Sequence, residues 1–349
     1  MADLNKVVFE VAPHANKPQM AQAGVESLVK DIRDFGRYFC AMALGAETDM
    51  AMKVAFSDLR ELKVEVAFPF LLELYNDYAN GILSAADFVA AVRLIEAFVF
   101  RRAVCGIPPN SLNKTFANFT KALKKSRYLE SIQAHLLELP SYRRFPSDDE
   151  FRSKLLTRDL YNFRSRSYWL RRLENHGRKK EVVPVSLYTI EHILPQNENL
   201  SVEWKESLGP EWKRVQKDWL HTLGNLTLTG YNSDYSDRSF LEKRDMVENG
   251  EPKGFRHSPL QINAGLGQLD RWNEDAIKAR ASKLAAIALD VWKAPSLAAE
   301  VLQEYLPKAS ATSAWTINDH PSLLSSPKRE LFEALRKGLL ALDACVTEE

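Results

Sequence analysis
The chain has 349 residues, 45% hydrophobic and 27% charged, the make-up of a globular protein long enough for two or three cores. Its apolar runs fall far short of a membrane span, its N-terminus lacks a signal peptide's basic start and apolar stretch, and Cys40, Cys105 and Cys345 form no C-x-x-C pair, which excludes a sequence-obvious zinc staple and fits an expected reducing, cytoplasmic setting. The net charge of +1 hides an asymmetry: residues 101–180 hold 19 Lys and Arg against 7 Asp and Glu, while both flanks are acidic.

Residues 1–180 are predicted to be helical. Val25, Leu28, Val29, Ile32 and Phe35 make a stripe at helical spacing. Pro69 suits the first turn of a helix through LLELYNDYAN, with Gly81 beyond its end. SAAD at Ser84–Asp87 and SDDE at Ser147–Glu150 are capping signals that open helices at 85–104 and 148–157. Another helix is expected over Leu160–Asn175, closed by Gly177. The basic block 101–180, with the aromatics of YNFRSRSYWLRR, fits a polyanion-facing surface, double-stranded DNA first of all, through Arg171 and Arg172. The same residues also fit ordinary solvated helix faces.

After Lys180 the pattern changes. EVVPVSLYTIEHI suggests one or two short strands and LGNLTLTG (Leu223–Gly230) another, joined by an irregular connection. SDRSFLEKRDMVENG then predicts a helix of about three turns ending at Gly250. A longer helix follows from about Glu274 to Trp292, with Ile277, Leu284, Ile287, Ala288 and Val291 on its buried side. The expected fold is mainly α with a small strand–strand–helix (ββα) unit, hence α+β. Three parts are expected: a helical domain at 1–180, a core with its flanking helix at 181–295, and a linker with the start of a truncated domain at 296–349. The linker reading rests on the Ser, Thr and Pro of Lys308–Pro327.

The acid–histidine pair Glu191-His192 interrupts an apolar run that ends at Pro195. EHILPQ, then GNLTL (Gly224–Leu228), then Asn232 with Ser239, Phe240 and Lys243 resembles the HNH, or His-Me finger, nucleases. In detail it is similar to the C-terminal nuclease domain of the GmrSD-type modification-dependent restriction endonucleases. The resemblance covers about residues 90–295, and its specific motifs lie at 189–243. It implies a bacterial defence endonuclease or nickase, joined in the parent protein to an N-terminal nucleotide-hydrolysing domain that senses modified DNA. No G-x-x-x-x-G-K-[ST] loop is present, so that domain is expected to be absent from this chain.

Hydrolysis of a phosphodiester needs a base for the attacking water and a cation for the developing charge. His192 is expected to be the base, with Glu191 and Asn232 ligating Mg²⁺, for which Mn²⁺ can substitute; no structural zinc is expected. Asn225 falls in the family's catalytic motif as the residue that fixes the loop by hydrogen bonds. Neighbours on a regular strand face opposite ways, so Glu191 and His192 share a site only if the backbone is bulged there. His221 is an auxiliary candidate for phosphate or metal, or a structural histidine. Lys243 and Arg244 are expected to meet phosphates flanking the cut, or to lie on a solvated helix face. The competing functions are a nucleic-acid-binding module with an idle site and an RNase with the same chemistry.

Overall fold
Ser84 and Ser147 open two helices as the sequence signals require, their hydroxyls accepting from the backbone N–H of Asp87 and Glu150. The computed structural model describes residues 18–178, 181–306 and 327–342. Met1–Leu297 form one unit and Ala298–Glu349 a second. Among the described residues of the first, eight α-helices precede any strand: α1 (Pro18–Ala43), α2 (Met50–Glu61), α3 (Phe68–Ala79), α4 (Ala85–Val104), α5 (Leu112–Ala122), α6 (Tyr128–Glu138), α7 (Asp148–Thr157) and α8 (Arg166–Glu174). The bounds of α4 and α7 are those predicted. The predicted stripe on α1 forms but faces outward, with Val25, Val29 and Ile32 about half exposed (48%, 59% and 55%).

The helix expected from Leu160 begins only at Arg166. The Leu160 N–H is spent on the His221 carbonyl (2.8 Å), with Tyr161 N–H behind it at 3.4 Å. That bond ties the start of residues 160–165 to the segment that carries the histidines.

Strands β1 (Thr189–His192) and β2 (Leu226–Thr229) pair antiparallel with Glu191 opposite Thr227 and His192 opposite Leu226. Where an irregular connection was expected, two helices intervene: α9 (Val202–Leu208), capped by Ser201, and α10 (Trp212–Trp219). Beyond β2 comes α11 (Asn232–Tyr235), and the helix predicted over SDRSFLEKRDMVENG is the shorter α12 (Phe240–Asp245). Asn249 and Gly250, both at positive φ (54° and 79°), then turn a hairpin between β3 (Val247–Glu248) and β4 (Glu251–Pro252). Asn-Gly is the strongest short hairpin signal, and here it outweighs the reading of Gly250 as a helix stop. The unit closes with α13 (Glu274–Val291), on which Ile277, Leu284 and Ala288 are buried.

Two clusters position the strands. Leu226 and Leu228 pack with Phe100, Tyr168, Trp169 and Trp292, so this core draws on both sides of residue 180. Ile193 and Leu194 pack with Trp204, Tyr235, Phe240 and Trp272. Gly224 stands where α13 approaches, and a Cβ there would overlap the Ile277 carbonyl oxygen.

The second unit contributes α14 (Ala299–Gln303) and α15 (Lys328–Leu342). The expected linker, apart from Pro327, lies outside the described residues, as do Cys345 and the N-terminal stretch through Lys17. No described helix is long and apolar enough to cross a membrane.

Candidate active site
The register of β1 is regular, without a bulge, so Glu191 and His192 point to opposite faces. His192 is buried, and its Nε2 lies 3.0 Å from Nδ1 of His221. One ring donates this hydrogen and the other accepts it. When both rings are neutral, one outer nitrogen therefore carries a lone pair and the other an N–H. Tyr161 completes the group, stacked on His221 (5.2 Å between centroids) and edge-on to His192 (4.5 Å). Burial, helped by the charges of His221 and Lys243, holds His192 down to about pKa 3, which keeps it neutral at physiological pH. Burial works to raise the nearby Asp159 carboxyl, but hydrogen bonds from Asn162 and the charge of His221 hold it below its ordinary value.

On the other face the Glu191 carboxylate meets the ammonium of Lys243 at 2.6 Å, and both side chains are buried. Lys243 Nζ also donates to the carbonyls of His192 and Ile193, both at 3.2 Å. Burial pushes Glu191 above its usual range and Lys243 below its own, each opposed by the partner's charge.

Asn225 is the knot of the site. Its Oδ1 accepts from Leu194 N–H (2.7 Å) and Trp272 Nε1 (3.1 Å), while Nδ2 donates to the carbonyls of Leu194 and Leu220. Asn232 donates from its amide to the Ile190 carbonyl (3.0 Å), fastening α11 to β1 two residues before His192. Arg280, which sequence reasoning passed over, is buried without a carboxylate and donates to the carbonyls of Leu223, Gly224, Leu226 and Ile262. Burial lowers its pKa to about 9. Its signal was an arginine set among the buried positions Ile277, Ala281 and Leu284 of α13. Tyr161 gave none of its own, because a stack on a histidine sixty residues away leaves no local pattern.

The structure thus joins His192 with His221, and seats Asn225 and Asn232 around them. It does not bring Glu191 and Asn232 onto one cation. Glu191 already faces a lysine, on the side away from His192, so Mg²⁺ coordination by this pair does not fit the arrangement. Among the described residues no three His, Cys, Asp or Glu side chains gather as a metal cluster either.

The expected phosphate contacts also need correction. Lys243 is interior. Arg171 is ion-paired with Asp58 and Glu61, and Arg172 with Glu96, because these arginines tie α8 to α2 and α4. Arg244 binds Asp245, Asp270 and the Leu269 carbonyl. None of the four is free to meet a polyanion.

The paired-histidine site and the buried amides that hold it lie within residues 145–287. Those residues match the family described as GmrSD restriction endonucleases, C-terminal domain. The match takes in every site residue named above. No curated protein matches the chain.

Proposed function
We propose that this chain hydrolyses DNA phosphodiester bonds as an HNH-type endonuclease or nickase of a modification-dependent defence system, with the His192–His221 pair as general base. The observation that carries the reading is the 3.0 Å contact between the two imidazoles at the end of β1, inside the matched segment. In one tautomer the half-buried His221 takes a proton from water on its outer nitrogen, its inner N–H remaining donated to His192. In the other, the outer nitrogen of His192 is the acceptor. A neutral His192 is ready to accept, and an arriving phosphate anion raises its affinity for the proton. Asn225 and Arg280 hold the loop and strand ends that fix the rings. β1, β2 and α11 are read as the ββα finger of this nuclease class.

The test is nicking of supercoiled plasmid by the full chain and by His192→Ala, after matching the two for melting temperature and DNA retardation. A loss of about 10²- to 10⁴-fold in rate is expected, the usual worth of a general base. Wild-type nicking by a folded His192→Ala protein would overturn the assignment.

A further inference from the structure
Two open pockets are lined by residues close in the chain to Tyr161 and to His221. The first, about 640 Å³, is lined by Lys154, Arg158 and Arg164 with Asp159, Asn162 and Phe163. Asp159 and Asn162 flank Tyr161, whose ring stacks on His221. The second, about 670 Å³, is lined by Lys205, Lys213 and Lys217 with Trp212, Glu198 and Leu220. Leu220 precedes His221 in the chain, so each pocket reaches the pair through an immediate neighbour.

The charges in these pockets are unlike those of Arg171 and Arg172. None of the six basic side chains forms an ion pair among the described residues, and all but the half-buried Lys205 are exposed. Each pocket also offers a ring, Phe163 in one and Trp212 in the other, with Lys205 and Lys213 over Trp212 at 5.1 and 5.4 Å. The single carboxylate in the first pocket, Asp159, is engaged by Asn162.

We infer that the two pockets are the two halves of one backbone track for duplex DNA, gripping phosphates on both sides of the bond presented to His192 and His221. Six unpaired cations across a nucleolytic pair match the phosphate-dominated, sequence-independent contacts of such complexes. The inference rests on the hydrolytic reading above and adds to it where the substrate lies.

Three variants of the full chain test it: Lys154→Ala/Arg158→Ala/Arg164→Ala, Lys205→Ala/Lys213→Ala/Lys217→Ala, and a control, Lys53→Ala/Lys114→Ala/Lys121→Ala, which removes equal charge elsewhere. Binding to a 30-base-pair duplex is followed across a salt series, with melting temperature checked. Either pocket variant should bind more weakly and flatten the log–log salt slope by roughly two to three units, about 0.9 per lost phosphate contact. The control should leave the slope within half a unit of wild type. Unchanged slopes in both folded pocket variants overturn the track, whatever the outcome for His192→Ala. Equal losses in the control overturn it too, because net charge would then suffice. A pocket-dependent preference for single-stranded RNA over the duplex overturns DNA as the occupant. If the pocket variants lose binding while wild type nicks nothing, the track stands and the hydrolytic reading falls.

Discussion

The two faces of β1 carry adjacent residues and do opposite work. On one, Glu191 is closed against Lys243 with almost no exposure, and the ammonium is shared with two strand-end carbonyls. On the other, His192 meets His221 and Tyr161, whose chain neighbours line two basic pockets. The first face holds the strand end in place, and the second presents it. Charge in the basic stretch divides the same way. Arg101, Arg102, Arg171 and Arg172 are consumed by carbonyls and carboxylates inside the fold, while Lys154, Arg158 and Arg164 form no ion pair among the described residues. An acidic residue beside a buried histidine, or an arginine in a basic block, takes its place from the face it occupies.

Breaking the closed face should have the largest effect on stability. Lys243→Met leaves the Glu191 carboxylate buried and unpaired, and a loss of about 3–5 kcal/mol is expected in chemical denaturation. Adding Glu191→Gln removes that charge, so the double variant should regain most of the loss. If it does not, Lys243 matters through its two carbonyl bonds rather than through the pair. Glu191 as a Mg²⁺ ligand gives a different outcome: Mg²⁺ would then stabilise Lys243→Met, by occupying the carboxylate the lysine left, more than it stabilises wild type.

The open face should reveal itself through pH. With His192 held near 3 in the fold and 6.5 its ordinary value, the unfolded chain takes up this proton first as pH falls. The His192 contribution is therefore flat above about 6.5 and destabilising progressively between there and about 3. Its slope approaches about 1.4 kcal/mol per pH unit inside that window. His135 is also lowered by burial and adds a slope of its own, so the measure is wild type against His192→Gln. The variant should lose stability less steeply from pH 6.5 to 5. Parallel curves would mean that His192 is not buried as a neutral ring.

Much of the helical frame was legible because its signals are local. A serine cap three residues ahead of an acid fixes the starts of α4 and α7, and the order acid-histidine, Gly-Asn, Asn marks the segment of the site. What sequence reading missed was non-local or misassigned. The segment before α8 meets the His221 carbonyl, and Arg280 its four carbonyls, only in the fold. Asn249-Gly250 was a hairpin signal read as a helix end. Arg171 and Arg172 look in sequence like DNA contacts, since nothing there discloses Asp58, Glu61 and Glu96 across the core.

The central claim is that His192 and His221 act as one base, and a double-mutant cycle on plasmid nicking tests it most directly. His192→Gln, His221→Gln and the combined variant are assayed at one pH and salt, after each is shown to be folded and to retard DNA. Groups that act as a unit are strongly non-additive, so the double variant should be no slower than about the worse single one. Multiplying losses, with the double variant slower by the product of the two single effects, would contradict a shared base and leave two independent roles in its place.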